Sequence, residues 1–223
     1  MRGPAFLAMA VVFASANALA QTPTNPPTST VSSQPNAVAE PSTDEGWSFG
    51  AAAYTYIVPD TNYVQPTVTA DRGWLHLEAR YNYEDLRTGS VWMGYNFQGG
   101  EKVTWELTPM FGGVFGNTSA IAPAYKGAVS WWKLQLASEG EYVFDTEDSS
   151  ENFFYNWSEL TFAPVEWWRV GLVTQRTRVY QTDREIQRGI LVGFTYRNLD
   201  SAIYLFNPDD GKPFVVGAVT VSF

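Results

Sequence analysis

From Gly46 to Phe223 the chain runs in short stretches in which every second residue is apolar, separated by brief polar or glycine-bearing connectors. The last stretch is the simplest. Val215, Gly217, Val219 and Val221 alternate with Val216, Ala218, Thr220 and Ser222, and Phe223 follows. A repeat of two is the side-chain period of a β-strand with one oily and one wetter face. The stretch from Trp74 to Tyr83 sets Trp74, His76, Glu78, Arg80 and Asn82 against Leu75, Leu77, Ala79, Tyr81 and Tyr83. No stretch keeps a helical period, and no internal repeat is visible.

Twelve strands are predicted on this pattern: Trp47–Val58, Tyr63–Ala70, Trp74–Tyr83, Ser90–Gln98, Lys102–Phe115, Gly127–Ala137, Glu141–Thr146, Asn152–Phe162, Trp168–Gln181, Gln187–Arg197, Ser201–Asn207 and Phe214–Phe223. Several fall short of the roughly 9–11 residues a membrane-crossing strand needs, so ten or eight strands stay open as alternatives. The connectors alternate in kind. Asp71–Gly73, Gly99–Glu101, Ser138–Gly140, Ala163–Trp167 and Asn198–Asp200 form the mostly shorter set, and Gly116–Lys126 is the longest of the other. Short turns at one end and longer loops at the other characterise outer-membrane barrels. An even number of strands returns both chain ends to the short-turn side.

In a soluble barrel the apolar faces would fill a core; in a membrane barrel they turn outward to lipid. Aromatic residues, 16% of the chain, collect near the ends of the runs, as interfacial girdles do. Trp47, Trp74, Trp105, Trp167, Trp168, Tyr196 and Phe223 are predicted at one rim. Tyr56, Tyr81, Tyr83, Phe115, Phe153, Phe154, Tyr180, Phe206 and Phe214 are predicted at the other. Residues 1–20 carry Arg2, an apolar stretch from Ala5 to Phe13, and Ala18-Leu19-Ala20, the pattern of a secretory signal peptide. Residues 21–45 hold five prolines among Thr, Ser, Asn and Gln with no aromatic residue, the composition of a disordered periplasmic linker.

An exported chain whose last strand ends in Phe resembles a Gram-negative outer-membrane β-barrel protein. The resemblance covers 46–223 and is to the class. It implies an all-β, antiparallel, up-and-down transmembrane barrel of about twelve strands in the outer membrane. It also implies that Val219, Val221 and Phe223 form the signal read by the barrel-insertion machinery, with outer-membrane lipid and lipopolysaccharide as further partners.

Charge narrows the function. Removal of a leader carrying only Arg2 leaves 13 basic against 23 acidic residues, which argues against a nucleic-acid partner. The absence of cysteine excludes a disulfide scaffold and thiolate metal sites. In the inverted barrel the wetter faces line a lumen. Parity assigns His76, Glu78, Arg80, Lys102, Glu106, Lys133, Glu159, Arg176, Arg178 and Arg197 to it, with Trp92 a misfit among them. Arg176 and Arg178 share their inward face with Val170 and Leu172; a bulge near Val173 would repair this, and otherwise the lower lumen is partly apolar there. Such charges fit a wet pore for small polar or anionic solutes, or a narrow interior closed by Arg–Glu pairs.

Catalytic chemistry finds little footing. The single histidine, His76, lies just past a short turn beside Glu78, the wrong end for an enzyme acting on the outer leaflet. Acidic residues outnumber basic ones ten to four across the longer connectors, without a calcium-loop spacing. No cofactor, metal or catalytic set is expected. The leading expectation is a narrow porin-like channel. A non-conducting barrel acting through its loops, with Gly116–Lys126 as constriction or binding tip, is the alternative, and an outer-membrane enzyme is the remote one.

Overall fold

A computed structural model describes residues 46–59, 61–178 and 185–223. The segments expected to be a leader at 1–20 and a linker at 21–45, together with Tyr180, lie outside the described residues. The described chain forms thirteen strand segments: β1 (Ser48–Ile57), β2 (Tyr63–Arg72), β3 (Leu75–Tyr81), β4 (Thr88–Tyr95), β5 (Phe97–Gly99), β6 (Val103–Gly116), β7 (Ala120–Trp131), β8 (Leu134–Asp145), β9 (Phe153–Val165), β10 (Trp168–Arg176), β11 (Gln187–Tyr196), β12 (Leu199–Phe206) and β13 (Phe214–Ser222). β4 and β5 both pair with β6 and are two pieces of one stave, interrupted at Asn96. Twelve antiparallel staves therefore close into a ring, each next to its neighbours in sequence, with β1 sealed against β13. Closure pairs the sheet edges, a condition for crossing hydrocarbon.

The wall is not uniformly stitched. β1 keeps eight residue pairs with β13, from Gly50↔Ser222 to Ile57↔Val215. Its ladder to β2 holds only Ser48↔Asp71 and Phe49↔Ala70. At the rim beside both chain ends of the ring, Phe49 and Phe223 exchange backbone hydrogen bonds of 2.8 and 2.9 Å.

The alternation decides which way side chains point. Leu77, Val91, Met93, Phe111, Leu172, Val192, Ile203 and Val219 face outward, and most are exposed. A greasy outer surface of this extent is stable only against lipid. No helix among the described residues is long and apolar enough to cross a membrane; the strands supply the crossing. Replacing outward Ile203 by Arg is expected to destabilise the barrel by about 2–4 kcal/mol. Urea titration of refolding in lipid vesicles reads this, and an unchanged midpoint would contradict lipid exposure of that face.

Three predicted segments are corrected. The supposed long loop Gly116–Lys126 is mostly strand β7, joined to β6 by Asn117–Ser119 alone. The supposed strand Gly127–Ala137 contains a hairpin turn at Trp132–Lys133, and the supposed turn Ser138–Gly140 lies within β8. Pro123, Gly127 and a run of alanines disguise β7, whereas two bulky residues disguise the turn. Two-residue hairpins favour positive φ at their centre, and Trp132 adopts 54° there. Arg197 does the same at 57° in the β11–β12 turn.

The girdles are corrected too. Trp47, Trp74, Trp105, Trp167, Tyr196 and Phe223 are exposed near the short-turn end, and Trp168 is partly so. At the other end, Tyr81, Phe115 and Phe154 are exposed, but Tyr56, Tyr83, Phe206 and Phe214 are buried inside the ring. There they join Tyr155, Trp157, Val173, Leu191, Tyr204 and Val216 in an internal core.

Candidate functional site

The barrel interior holds the candidate site, and three groups of side chains divide it. The first is the internal core, hung from β1 and β9–β13. Trp157 of β9 is its hub, with ring centroids 5.6 Å from Tyr54, 5.0 Å from Tyr204 and 5.4 Å from Phe206. Tyr54 belongs to β1, so this contact crosses the lumen, as does the 2.7 Å hydrogen bond from the Gln175 amide of β10 to the Tyr56 hydroxyl. The Trp157 indole N–H and the Tyr204 hydroxyl both donate to Glu159, at 2.7 and 2.8 Å.

The second group is a charged bridge from β3 to β7 and β8. Arg80, buried, donates to Glu78 at 2.5 Å and across the barrel to Glu141 at 2.7 Å. Its guanidinium lies 4.3 Å from the Tyr83 ring centroid and 4.5 Å from that of Trp92. Lys126 of β7 reaches Glu78 at 2.5 Å and comes within 3.8 Å of Glu139, which also receives the Tyr83 hydroxyl. Trp92 fits inside because it faces Gly112, where an added Cβ would fall 2.4 Å from the indole. Its N–H donates to Ser90 at 2.9 Å. Glu84, in the β3–β4 connector, closes the top of this group: Ser90 donates to it at 2.5 Å and Arg80 stands 3.9 Å away. Burial pushes the Glu84 carboxyl above its ordinary range, against the opposing pull of Arg80. One oxygen of Glu84 and one of Glu141 are buried without a hydrogen-bond donor.

The third group lies toward the short-turn end. Both ring nitrogens of His76 face carboxylates, Nδ1 at 2.7 Å from Asp71 and Nε2 at 3.0 Å from Glu78. Asn96, at the break between β4 and β5, donates to Asp71 at 2.8 Å and accepts from Thr108 at 2.7 Å. Across the ring, Arg169 pairs two-pronged with Asp200. The side chains of Asp71, Lys126, Glu139 and Arg169 point inward yet stay 32, 23, 26 and 21% exposed, so solvent reaches them inside the wall.

Of the lumen candidates, His76, Glu78 and Arg80 come together as one network, while Glu106 and Glu159 face inward from β6 and β9. The others are elsewhere. Lys102, Lys133 and Arg197 sit exposed in or beside short turns, with Lys133 donating to the Pro164 carbonyl and Arg197 over Tyr196. Arg176 and Arg178 stand at the opposite rim, paired with Glu185 and Glu151. Their β10 parity is the reverse of the expected one: Arg169, Val173 and Gln175 face inward, whereas Val170 and Leu172 face lipid. The register of β9 and β10 shifts between Trp168 and Val170, with none near Val173. Sequence reasoning missed Asp71, Glu84, Lys126, Glu139, Glu141, Arg169 and Asp200 as interior groups. Most had been placed in connectors; Glu141 stood at the edge of a short strand. Extending the alternation of Ala120, Ala122 and Ala124 to Lys126 was the signal that could have found that lysine.

Together the closed ring, its greasy exterior and its polar, cross-braced interior define a transmembrane-type β-barrel. Among solved structures, the chain is similar to a KdgM porin, with a TM-score of 0.56 at 10% identity, covering 80% of this chain and 99% of that one. It is likewise similar to a KdgM porin in complex with disordered oligogalacturonate, with a TM-score of 0.57 at 12% identity and the same coverage. At that identity the likeness shows the fold. No protein-family model and no curated protein matches the sequence.

Proposed function

We propose that this chain is a narrow porin-like channel in the outer membrane of a Gram-negative bacterium, through which small polar and anionic solutes diffuse passively. The observation that carries it is the solvent-reached, inward-facing set of Asp71, Lys126, Glu139 and Arg169 inside a closed wall. Charged groups are stable at membrane depth when water or counter-charges solvate them. The oligogalacturonate held by one structural neighbour supports an acidic, sugar-like solute. Each interior cation already touches a carboxylate, so a passing anion competes with Glu78, Glu139 or Asp200 for it. The reading takes 1–20 as a cleaved leader and the last strand through Phe223 as the insertion signal, with lipopolysaccharide against the outer rim. It needs no catalytic step.

Purified protein in planar bilayers is expected to show small, discrete conductance steps. Lys126→Gln removes the most accessible cation of the β3–β7 bridge and is expected to move the reversal potential in a salt gradient toward cation preference. Silence across salt and voltage would reject the channel. It would favour the second reading, a non-conducting barrel, for which the contacts of Trp157 with Tyr54, Tyr204 and Phe206 across the interior are the specific support.

A further inference from the structure

The outward wall of β7, β8 and β9 breaks the apolar rule at mid-height. Tyr125, Ser138, Asn156 and Ser158 all lie on the lipid side, since their neighbours Lys126, Glu139 and Trp157 point into the lumen. They form one network. The Asn156 amide donates to the Tyr125 hydroxyl at 3.1 Å, to Ser138 at 3.3 Å and to the Glu139 carbonyl at 2.9 Å. Ser138 lies 3.1 Å from the Tyr125 hydroxyl and 2.8 Å from Ser158, which donates to Asn156 at 3.1 Å.

Depth makes this unusual. Outward on the same staves, Tyr142, Phe144 and Phe154 lie toward the longer loops, and Val129, Leu136 and Leu160 toward the short turns. The polar cluster is therefore bracketed by greasy side chains and sits within the hydrocarbon band rather than at a rim. The opposite wall carries Ile190, Val192, Ile203 and Val219 at mid-strand, with Thr55 the nearby hydroxyl. Lipid chains offer no donor or acceptor. By lone-pair inventory, Asn156 Oδ1 and Ser158 Oγ each retain an acceptor site that the described contacts leave unused.

We propose that this patch is the interface for a second copy of this chain, packed side by side in the membrane. Copies inserted the same way up present the patch at the same depth, so a two-fold axis along the membrane normal brings it against itself. Amides and hydroxyls carry donors and acceptors at once, which makes an uncharged cluster of them complementary to its own image. Gly127, outward on the same staves and beside Ser138 in the ladder, lets the two walls approach closely. The inference rests on the outer wall facing lipid and not on conduction.

The chain has no cysteine, so a single thiol reports one place. Ser138→Cys in vesicles under mild oxidation is expected to give a covalent dimer at about ten times the yield of Ile203→Cys on the opposite wall. Bleaching-step counts on the labelled wild-type protein in bilayers are expected to show pairs, and Asn156→Leu combined with Ser158→Ala to shift them toward single barrels. Equal yields from the two thiols, wild-type counts of single barrels only, or a Ser138→Cys link to some other envelope protein would each overturn the proposal. So would pairs that survive the double substitution. A pair that never conducts would sink the channel reading alone, and a conducting single barrel this one alone.

Discussion

Arg80→Ala is expected to lower barrel stability by about 3–5 kcal/mol, because it strands buried carboxylates rather than simply deleting a contact. Among the described residues, Arg80 is the one cation in hydrogen-bond contact with Glu141 and the second on Glu78, and Glu84 stands 3.9 Å from it. Without it three acids share a poorly hydrated wall with, among the described residues, only Lys126 and His76 in reach of one of them. The midpoint of urea unfolding in detergent micelles reads the loss. The same change removes the strut joining β3 to β8, so conductance per step is expected to rise. A variant as stable as the parent would show that these carboxylates take up protons without strain, and that the bridge is not a structural brace. Glu141→Gln, which keeps the shape and an acceptor, is expected to cost clearly less.

Trp157→Ala is expected to act at the other crossing point, with a destabilisation of about 3–5 kcal/mol for loss of a large buried aromatic ring. Here the functional effect separates two pictures of the interior. If the ring cluster of Tyr54, Trp157, Tyr204 and Phe206 is what narrows the path, its hub leaves a void continuous with the wet band at Glu139 and Arg169. Unit conductance then increases several-fold, as step size in planar bilayers would show. If the path runs elsewhere, stability falls and step size stays the same. The indole N–H is also lost to Glu159, which keeps the Tyr204 hydroxyl as a donor.

Much of this architecture was legible from alternation alone, and the reasons for the gaps are physical. β3 read correctly because it puts apolar residues on one face and His76, Glu78 and Arg80 on the other, and β13 because its β-branched residues continue to the end of the strand. β7 did not, since its inward positions are mostly alanine and its outward ones include Pro123, Tyr125 and Gly127. A strand whose two faces differ in size rather than in polarity gives almost no signal at a period of two. Its misplacement displaced the following turn, and with it Lys126, Glu139 and the true position of Lys133. The interior network was half visible: His76, Glu78 and Arg80 share one face of one strand, but their partners on β7 and β8 are long-range, and pairing across a lumen leaves no local trace. The aromatic residues near the longer loops were misassigned for a different reason. Run-end position fixes height on the wall but not whether the ring points to lipid or inward, and parity for Tyr56, Phe206 and Phe214 decides for the inside.

The uneven stitching around β1 has a consequence for assembly. The first stave shares eight backbone pairs with the thirteenth segment and two with its neighbour in sequence, against which it also packs through side chains such as Tyr56 stacked on Tyr63 at 4.6 Å, so most of its backbone partners come only when the far end of the polypeptide arrives. From the third stave onward, each can zip onto the one made just before it. The ring therefore forms as a growing curved sheet and shuts in a final step that joins residues nearly the whole described chain apart. Loop closure of that span is entropically slow. The line between β1 and β2 carries two backbone rungs where its neighbours have six or more, and side-chain packing such as Tyr56 on Tyr63 holds the rest of it.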